Sequence, residues 1–497
     1  MKKLLIFVVF VAGYLIMSLE LLGSRVLAPY FGASIYVWGS LIGLILTALA
    51  GGYYLGGWLA ELPQNQGESS KRFLDKLFLV VAVFLLFDLF SYVAILKWLS
   101  SWDAVWGTLA ASLMLFCVPM VALAAVSPLV IKILSEQEKT GKAAGLVYAW
   151  GTAGSILGTF LTTFWSVPYF GSRLTLYGCF FISLLVLVGL FLMVDRKIIL
   201  LPILFFLISL AVLSSSVLVQ GVILETESAY NQIRLINRDG KILLTLNSQQ
   251  DSLVHSGYSN ISSGDNWSYL NNLFGVGPLI KPVDSLLVLG MAAGSTVLQH
   301  QAFSPQIKID AVEIDPKIIA IAKEQFGLKE NENLSIWQAD ARPFLSNNQK
   351  QYDMIEIDLF QGGPYSPFYT MTQEFFELTS KRLSQNGFIM MNVFAPGHQE
   401  LLGPVLNAIA SVYPSVYKIP LRSNFIILAT RSATSLEAIK NELEGAIKLA
   451  PEDLKPAVVY VQDYIEPYEA NKKAPIFTDD WAPVEKITYR MLKGLNL

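Results

Sequence analysis

Long apolar runs fill the first 220 residues, and this feature limits what the chain can fold into more than any other. Crossing ~30 Å of hydrocarbon takes about 20 helical residues. Seven runs reach that length: Leu4–Leu22, Ile35–Leu59, Leu77–Leu96, Ala104–Val126, Ala144–Val167, Leu174–Val194 and Ile199–Val219. Lipid offers no partner to backbone polar groups, so such runs span as helices. The fourth run continues to Leu134, and dividing it would leave two pieces too short to span, so seven spans are expected. Lys2 and Lys3 ahead of the first run also fit a signal peptide. No small-residue cleavage site follows, however, and the run leads into further spans.

The few charges in this region orient it. One set of loops holds Lys2, Lys3, Lys71, Arg72, Lys76, Lys132, Lys139, Lys142, Arg196 and Lys197, and the opposite set holds Arg25, Lys97 and Arg173. The basic-rich side is expected to be cytoplasmic. A multi-pass protein of the cell (inner) membrane follows, with the bilayer as a partner. Seven spans from an inside amino terminus put the carboxyl part on the extracytoplasmic side. Gly51, Gly52, Gly56 and Gly57, and again Gly151, Gly154 and Gly158, recur at helical spacing, which suits close helix packing or room for a substrate path. Glu20 and Asp88 are carboxylates inside apolar runs and need partners or an interior face. A Glu20–Arg25 pair at the turn before Pro29 is one such arrangement.

Composition removes several function classes. Only 15% of the 497 residues are charged, against about 25% in soluble domains, while 53% are apolar and the net charge is −3. No basic surface is available for nucleic acid. Cys117 and Cys179 sit in apolar runs and offer no disulfide or zinc framework, and the three histidines, His255, His300 and His398, are scattered, so no metal site is expected.

After Gln220 the pattern changes. Residues 221–283 are polar with short alternating segments, and Asn231–Asn237 and Lys241–Asn247 flank Asp239-Gly240, a hairpin signal. Residues 284–497 alternate strands and helices. Ser285–Leu289, Ile307–Val312, Leu334–Trp337, Tyr352–Ile357 and Phe388–Val393 read as buried parallel strands, with helices at Pro316–Gln325, Thr372–Leu383 and His398–Val412. The fold class expected is therefore a multi-pass helical membrane bundle, a small β region, and an α/β Rossmann-like, doubly wound domain.

Ligands of such sheets bind beyond the carboxyl ends of the strands. After the first strand comes Gly290-Met291-Ala292-Ala293-Gly294-Ser295, small residues that let the backbone turn and approach a ligand. After the second comes Glu313, placed to take ribose hydroxyls, and then Asp315-Pro316, a helix start. After the third comes Asp340-Ala341, where the acid either accepts from an adenine amino group or caps a helix. After the fourth comes Asp358, a candidate base or amine anchor. One acid or glycine turn per successive strand end points to an adenosyl nucleoside site of the adenosylmethionine methyltransferase type. The glycine turn is not a full G-x-G-x-x-G, and no Walker A motif occurs.

At these residues the chain resembles the spermidine/spermine synthase (polyamine aminopropyltransferase) family, in its bacterial membrane-fused branch. The stretches carrying the resemblance are Glu20–Glu61, ETESAYNQIRL from Glu225, GMAAGS from Gly290, VEIDP from Val312, QADARPFL from Gln338, IDLFQGGPYSPFYTMTQEFF from Ile357 and TDDWAPVE from Thr478. The resemblance implies aminopropyl transfer from decarboxylated S-adenosylmethionine to an amine. It assigns Gly290, Gly294, Glu313, Asp340 and Ala341 to the nucleoside, Asp358 and Tyr269 to catalysis, and Gln361 and Tyr365 to the substrate side. Departures fall on the amine side. The soluble enzymes have an Asp where Ala293 stands, a second Asp where Gln361 stands, and a His-Glu pair where Leu270-Asn271 stands. The implied acceptor is thus an unidentified amine or a lipid-associated substrate, and self-association is left open. Two other readings remain: methyl transfer or sulfonium cleavage with intact S-adenosylmethionine, and a transporter or scaffold with a non-catalytic nucleoside module. The last agrees with the extracytoplasmic placement, because adenosyl sulfoniums are cytosolic and donor chemistry would put the domain in the cytoplasm.

Overall fold

Lys2–Phe31 folds as one unbroken helix (α1), long and apolar enough to cross a bilayer, as the first run requires. It belongs to a computed structural model that describes residues 2–31, 35–62, 68–102, 104–194, 221–247, 256–259, 269–361, 365–397 and 399–494. Two compact units result: Met1–Gln220 with Thr226–Ala229, and Gly221–Glu225 with Tyr230–Leu497.

In the first unit the helices are α1, α2 (Ile35–Glu61), α3 (Glu68–Leu99), α4 (Ala104–Ser112), α5 (Val118–Ser135), α6 (Thr140–Leu161) and α7 (Val167–Val194). A π-turn at Leu113–Cys117 joins α4 to α5, and another at Thr162–Ser166 joins α6 to α7. Among the described residues, five helical stretches are long and apolar enough to cross a membrane. The expected fourth run is one such stretch, Val105–Ser135. The expected fifth and sixth runs fuse into Thr140–Phe191, because no polar loop separates them. The break between them is a single residue, Gly171, at φ 78° and ψ 170°. The expected run Ile199–Val219 lies outside the described residues.

Glycine seams hold this unit together. A Cβ placed on Gly13, Gly154 or Gly158 would collide with the carbonyl oxygen of Gly151, Phe10 or Tyr14, so α1 and α6 touch backbone to backbone. Gly52 and Gly56 bring α2 equally close to Val121 and Ala125 of α5. Without a hydrophobic drive between helices in lipid, such close van der Waals packing supplies the association. Asp88 is buried, which fits an interior-facing side chain, and its carboxylate has no hydrogen-bond partner among the described residues. Arg25 donates to the Ala229 carbonyl.

The second unit has two sheets. Strands β1 (Val222–Glu227), β2 (Gln232–Arg238), β3 (Lys241–Leu246) and β4 (Ser256–Ser259) form a four-stranded sheet in that order. Its central hairpin turns at Asp239-Gly240, both at positive φ. The main sheet contains β5 (Ser285–Leu289), β6 (Lys308–Glu313), β7 (Leu334–Gln338), β8 (Tyr352–Ile357), β9 (Leu383–Phe394), β10 (Ser415–Pro420), β11 (Asn424–Thr430) and β12 (Glu466–Pro467). Its order is β12-β10-β11-β9-β8-β5-β6-β7. Strands β9, β8, β5, β6 and β7 are parallel. The other half is antiparallel, because β10 and β11 form a hairpin and β11 runs against β9. The sheet is therefore mixed, with the Rossmann-like half as expected and an unforeseen antiparallel extension. Each face carries its own core: Leu286, Val288, Met354 and Met390 on one, and Leu287, Leu289, Ile355, Ile357 and Met391 on the other. The chain runs outward from β5 through β6 to β7 and then returns to place β8 on the other side of β5. The crevice at that reversal is where an open α/β sheet takes its ligand.

Candidate active site

The turn after β5 is built to let two strand ends meet. Gly290 has φ 83°, and a Cβ there would run into the carbonyl oxygen of Asp358 just past β8. Only glycine accepts both the conformation and the contact. Gly290 and Met291 donate their N–H groups to Val312 on β6, and Asp358 donates its own to Leu289 at 3.0 Å. These bonds bring the ends of β5, β6 and β8 together. Gly294, at φ 81°, starts the helix Ser295–Phe303.

Glu313 ends β6 almost fully buried. One carboxylate oxygen accepts from the Asp315 N–H and the other from the Ala292 N–H, each at 3.0 Å. Burial pushes its carboxyl up to about 7, against these backbone donors. Each oxygen keeps a second lone pair for a hydroxyl donor. Asp315 caps the helix Pro316–Gln325 by accepting from Lys317, so the helix-start role falls to Asp315 and leaves Glu313 for another.

Asp340 caps the helix Ala341–Asn347, accepting from Arg342 N–H at 2.9 Å, while its other oxygen accepts from the Tyr369 hydroxyl at 3.2 Å. Ala341 is buried at the first position of that helix. The Arg342 guanidinium reaches the Tyr369 carbonyl at 2.9 Å and forms a forked pair with Asp479, which also accepts from Thr372 at 2.7 Å. This network carries the closing Thr478-Asp479-Asp480 segment onto the loop after β8.

Asp358 is partly covered. Its Oδ1 accepts from the Asn392 side-chain amide at 2.9 Å, and the Asn392 carbonyl oxygen accepts from Asn424 at 2.7 Å. That second bond fixes which way the Asn392 amide points, so it presents N–H to Asp358. Burial pushes the Asp358 carboxyl up to about 7, opposed by the Asn392 amide and aided by the negative charge of Glu356. A carboxyl poised near neutral pH is suited to take a proton.

Gln361 donates its N–H to the Tyr365 carbonyl, 2.7 Å away, and its side chain is exposed. Burial, helped by Glu485, pushes the Tyr365 phenol up to about 12. Tyr269 opens the helix Tyr269–Gly275, and the placement of its side chain lies outside what is described. The structure thus gathers Gly290, Gly294, Glu313, Asp340, Ala341 and Asp358 around the ends of β5 to β8, and puts Gln361 and Tyr365 on the loop that follows. Three partners escaped the sequence reading: Asn392, Asn424 and Tyr369. A lone amide inside the apolar strand Ile389–Val393 was the available signal for the first. Among the described residues, no group of three or more His, Cys, Asp or Glu could hold a metal ion.

The architecture is that of a Rossmann-like domain, with acids at the ends of its parallel strands. Residues 272–441, behind the apolar helices, match the family model of the spermine/spermidine synthase domain. That arrangement fits the membrane-fused branch of the family. Curated relatives include a protein described as a probable polyamine aminopropyl transferase from Bifidobacterium longum. It is 26% identical over 285 residues, which covers 52% of this chain and 61% of that relative. A polyamine aminopropyltransferase from Vibrio vulnificus is 28% identical over 214 residues, covering 41% of this chain and 69% of that one. The chain thus spans about six-tenths of the length of the first relative. A crystal structure of a probable spermidine synthase from Corynebacterium glutamicum superposes with a TM-score of 0.38 at 20% identity, covering 46% of this chain and 88% of that chain.

Proposed function

We propose that the second unit transfers an aminopropyl group from decarboxylated S-adenosylmethionine to an amine, and that the apolar helices anchor it in a membrane. The observation that carries this reading is Asp358. It stands at the crevice beside the glycine turn, with one oxygen held by Asn392 and a proton affinity raised to near neutral. Glu313 would take the ribose hydroxyls and Asp340 the adenine amino group. The acceptor nitrogen attacks the propyl carbon next to the sulfonium and forms a C–N bond. The C–S bond breaks, its electron pair goes to sulfur as a neutral thioether nucleoside, and the amine proton passes to Asp358 Oδ2. The missing acids at Ala293 and Gln361 favour an acceptor with less positive charge than a diamine, or one that presents its amine from a lipid-associated body.

The test is incubation of the full chain in detergent with the labelled decarboxylated donor and a panel of mono-, di- and triamines. Label moving to an amine supports the reading. No transfer to any amine, with donor binding intact by calorimetry, refutes it. The cytosolic origin of adenosyl sulfoniums favours a cytoplasmic face for the second unit.

A further inference from the structure

Strand β8 carries a second acid that the reaction as drawn does not use. Glu356 is 0% exposed in the middle of the main sheet, between Val288 of β5 and Met390 of β9. Its Oε2 lies 3.0 Å from Nε2 of His300, itself 1% exposed in the last turn of the helix Ser295–Phe303. Its Oε1 has no hydrogen-bond partner among the described residues. An apolar side chain would pack here at far lower cost, since a buried charge is costly unless it is fully paired. A buried polar atom left unsatisfied calls for an explanation such as a catalytic role.

Register supplies that explanation. Side chains two apart along an extended chain share a face. Asp358 lies one residue past β8, but its N–H still bonds to Leu289 and its carboxylate meets Asn392, two along β9 from the Met390 that pairs with Glu356. Glu356 and Asp358 therefore point the same way, about 6.6 Å apart along the chain. The groups facing Asp358 divide simply among the described residues. Its own strand presents Glu356, β9 presents the Asn392 amide, β5 presents apolar side chains, and His300 reaches Glu356 rather than Asp358. Among the described residues, Glu356 is the charged group that acts on Asp358. We propose that Glu356, held in place by His300, is a positioning residue for the transfer: it sets a buried negative charge beneath Asp358, so that Asp358 takes and keeps the acceptor's proton. The imidazole fixes the Glu356 side chain through one oxygen and leaves the other facing unscreened protein. Asn392 acts in the opposite sense, stabilising the carboxylate and selecting Oδ2 as the basic oxygen. The proposal rests on the aminopropyl-transfer reading for its purpose, though not for its electrostatics.

The test therefore reads Asp358 both with and without catalysis. The carboxylic C=O band that disappears in Asp358→Asn is followed by infrared pH titration of the full chain in detergent, for wild type and Glu356→Gln. A Coulomb interaction over that spacing at an effective dielectric near 20 predicts a midpoint lower by about one to two pH units in Glu356→Gln. The acidic limb of kcat is expected to move with it, and the KM for the donor to stay unchanged. His300→Gln, which keeps an amide donor for Glu356, leaves the midpoint at or above the wild-type value. Equal midpoints in wild type and Glu356→Gln overturn the proposal, and so does a fall in His300→Gln, which stays informative if Glu356→Gln does not fold. A shifted infrared midpoint without transfer to any amine upholds the action of Glu356 on Asp358 and refutes the aminopropyl reading instead.

Discussion

Replacing Asn392 with leucine removes two hydrogen bonds, the one it gives to Asp358 and the one it takes from Asn424, and keeps the volume. In the wild type the Asn392 amide donates to Asp358 at 2.9 Å and is itself oriented by Asn424 at 2.7 Å. A hydrogen bond to a charged group contributes about 1.5–3 kcal/mol, or about one to two pH units of proton affinity. Asp358 is partly covered rather than sealed, so water recovers part of that loss. An upward shift of about one unit is the working value. The Asp358 carboxyl then titrates near 8 rather than about 7. At pH 7 the ionised fraction falls from about a half to about a tenth, a rate loss of about fivefold. The sign is definite: the base must be ionised to accept a proton, so activity lost at neutral pH returns as pH rises. The assay is the pH profile of kcat/KM for amine transfer, with thermal unfolding as a control, because Asn424 loses its acceptor and about 1–3 kcal/mol is at stake there. A profile lowered equally at every pH, with its acidic limb unmoved, would refute the reasoning.

Three further outcomes follow from the geometry. Asp340→Asn keeps a good helix cap but replaces a charged acceptor, so the stability of the second unit is expected to hold while donor affinity falls about tenfold. Unchanged affinity by calorimetry would remove Asp340 from the site. Gly154→Ala forces a methyl against the Phe10 carbonyl and is expected to destabilise the first unit by about 1–3 kcal/mol, whereas Gly57→Ala meets nothing within 4 Å and is expected to be neutral. Equal thermal unfolding of the two variants in detergent would discredit the glycine seam. Leu449 is 86% exposed, so Leu449→Cys in a cysteine-free background reports the side of the second unit. A cytosolic donor predicts labelling only after permeabilisation, and labelling of intact cells would defeat that placement.

Much of the second unit is legible in the sequence because buried parallel strands are unbroken apolar runs, as Ser285–Leu289 and Tyr352–Ile357 are. The β10–β11 hairpin is not, since the strand–helix alternation that locates the other strands stops before Ser415. The acids at strand ends are readable for the same reason as the strands: a carboxylate just past an apolar run marks where a strand meets the crevice. Asn392 and Glu356 lie inside apolar runs and Asn424 opens β11 after Arg422-Ser423, and only the pairing of β8, β9 and β11 shows that they are linked to Asp358. Tyr369 reaches Asp340 across 29 positions, a contact no local pattern encodes. In the first unit, hydropathy marks the spanning segments and leaves the gap between Val167 and Leu174 where the break falls, but not that the backbone angles of Gly171 alone make it.

The glycine seams also imply an order of assembly. The α2–α5 pair is nested in sequence inside the α1–α6 pair, so the inner seam can close before the outer one. Ser155 donates to the Gly13 carbonyl across 142 positions. At about 5–20 residues per second, about 7–28 seconds therefore pass between the making of α1 and that of its partner. Throughout that interval the glycine seam of α1 is without its partner helix, and a mutation there can fail in biogenesis even when the finished bundle would tolerate it.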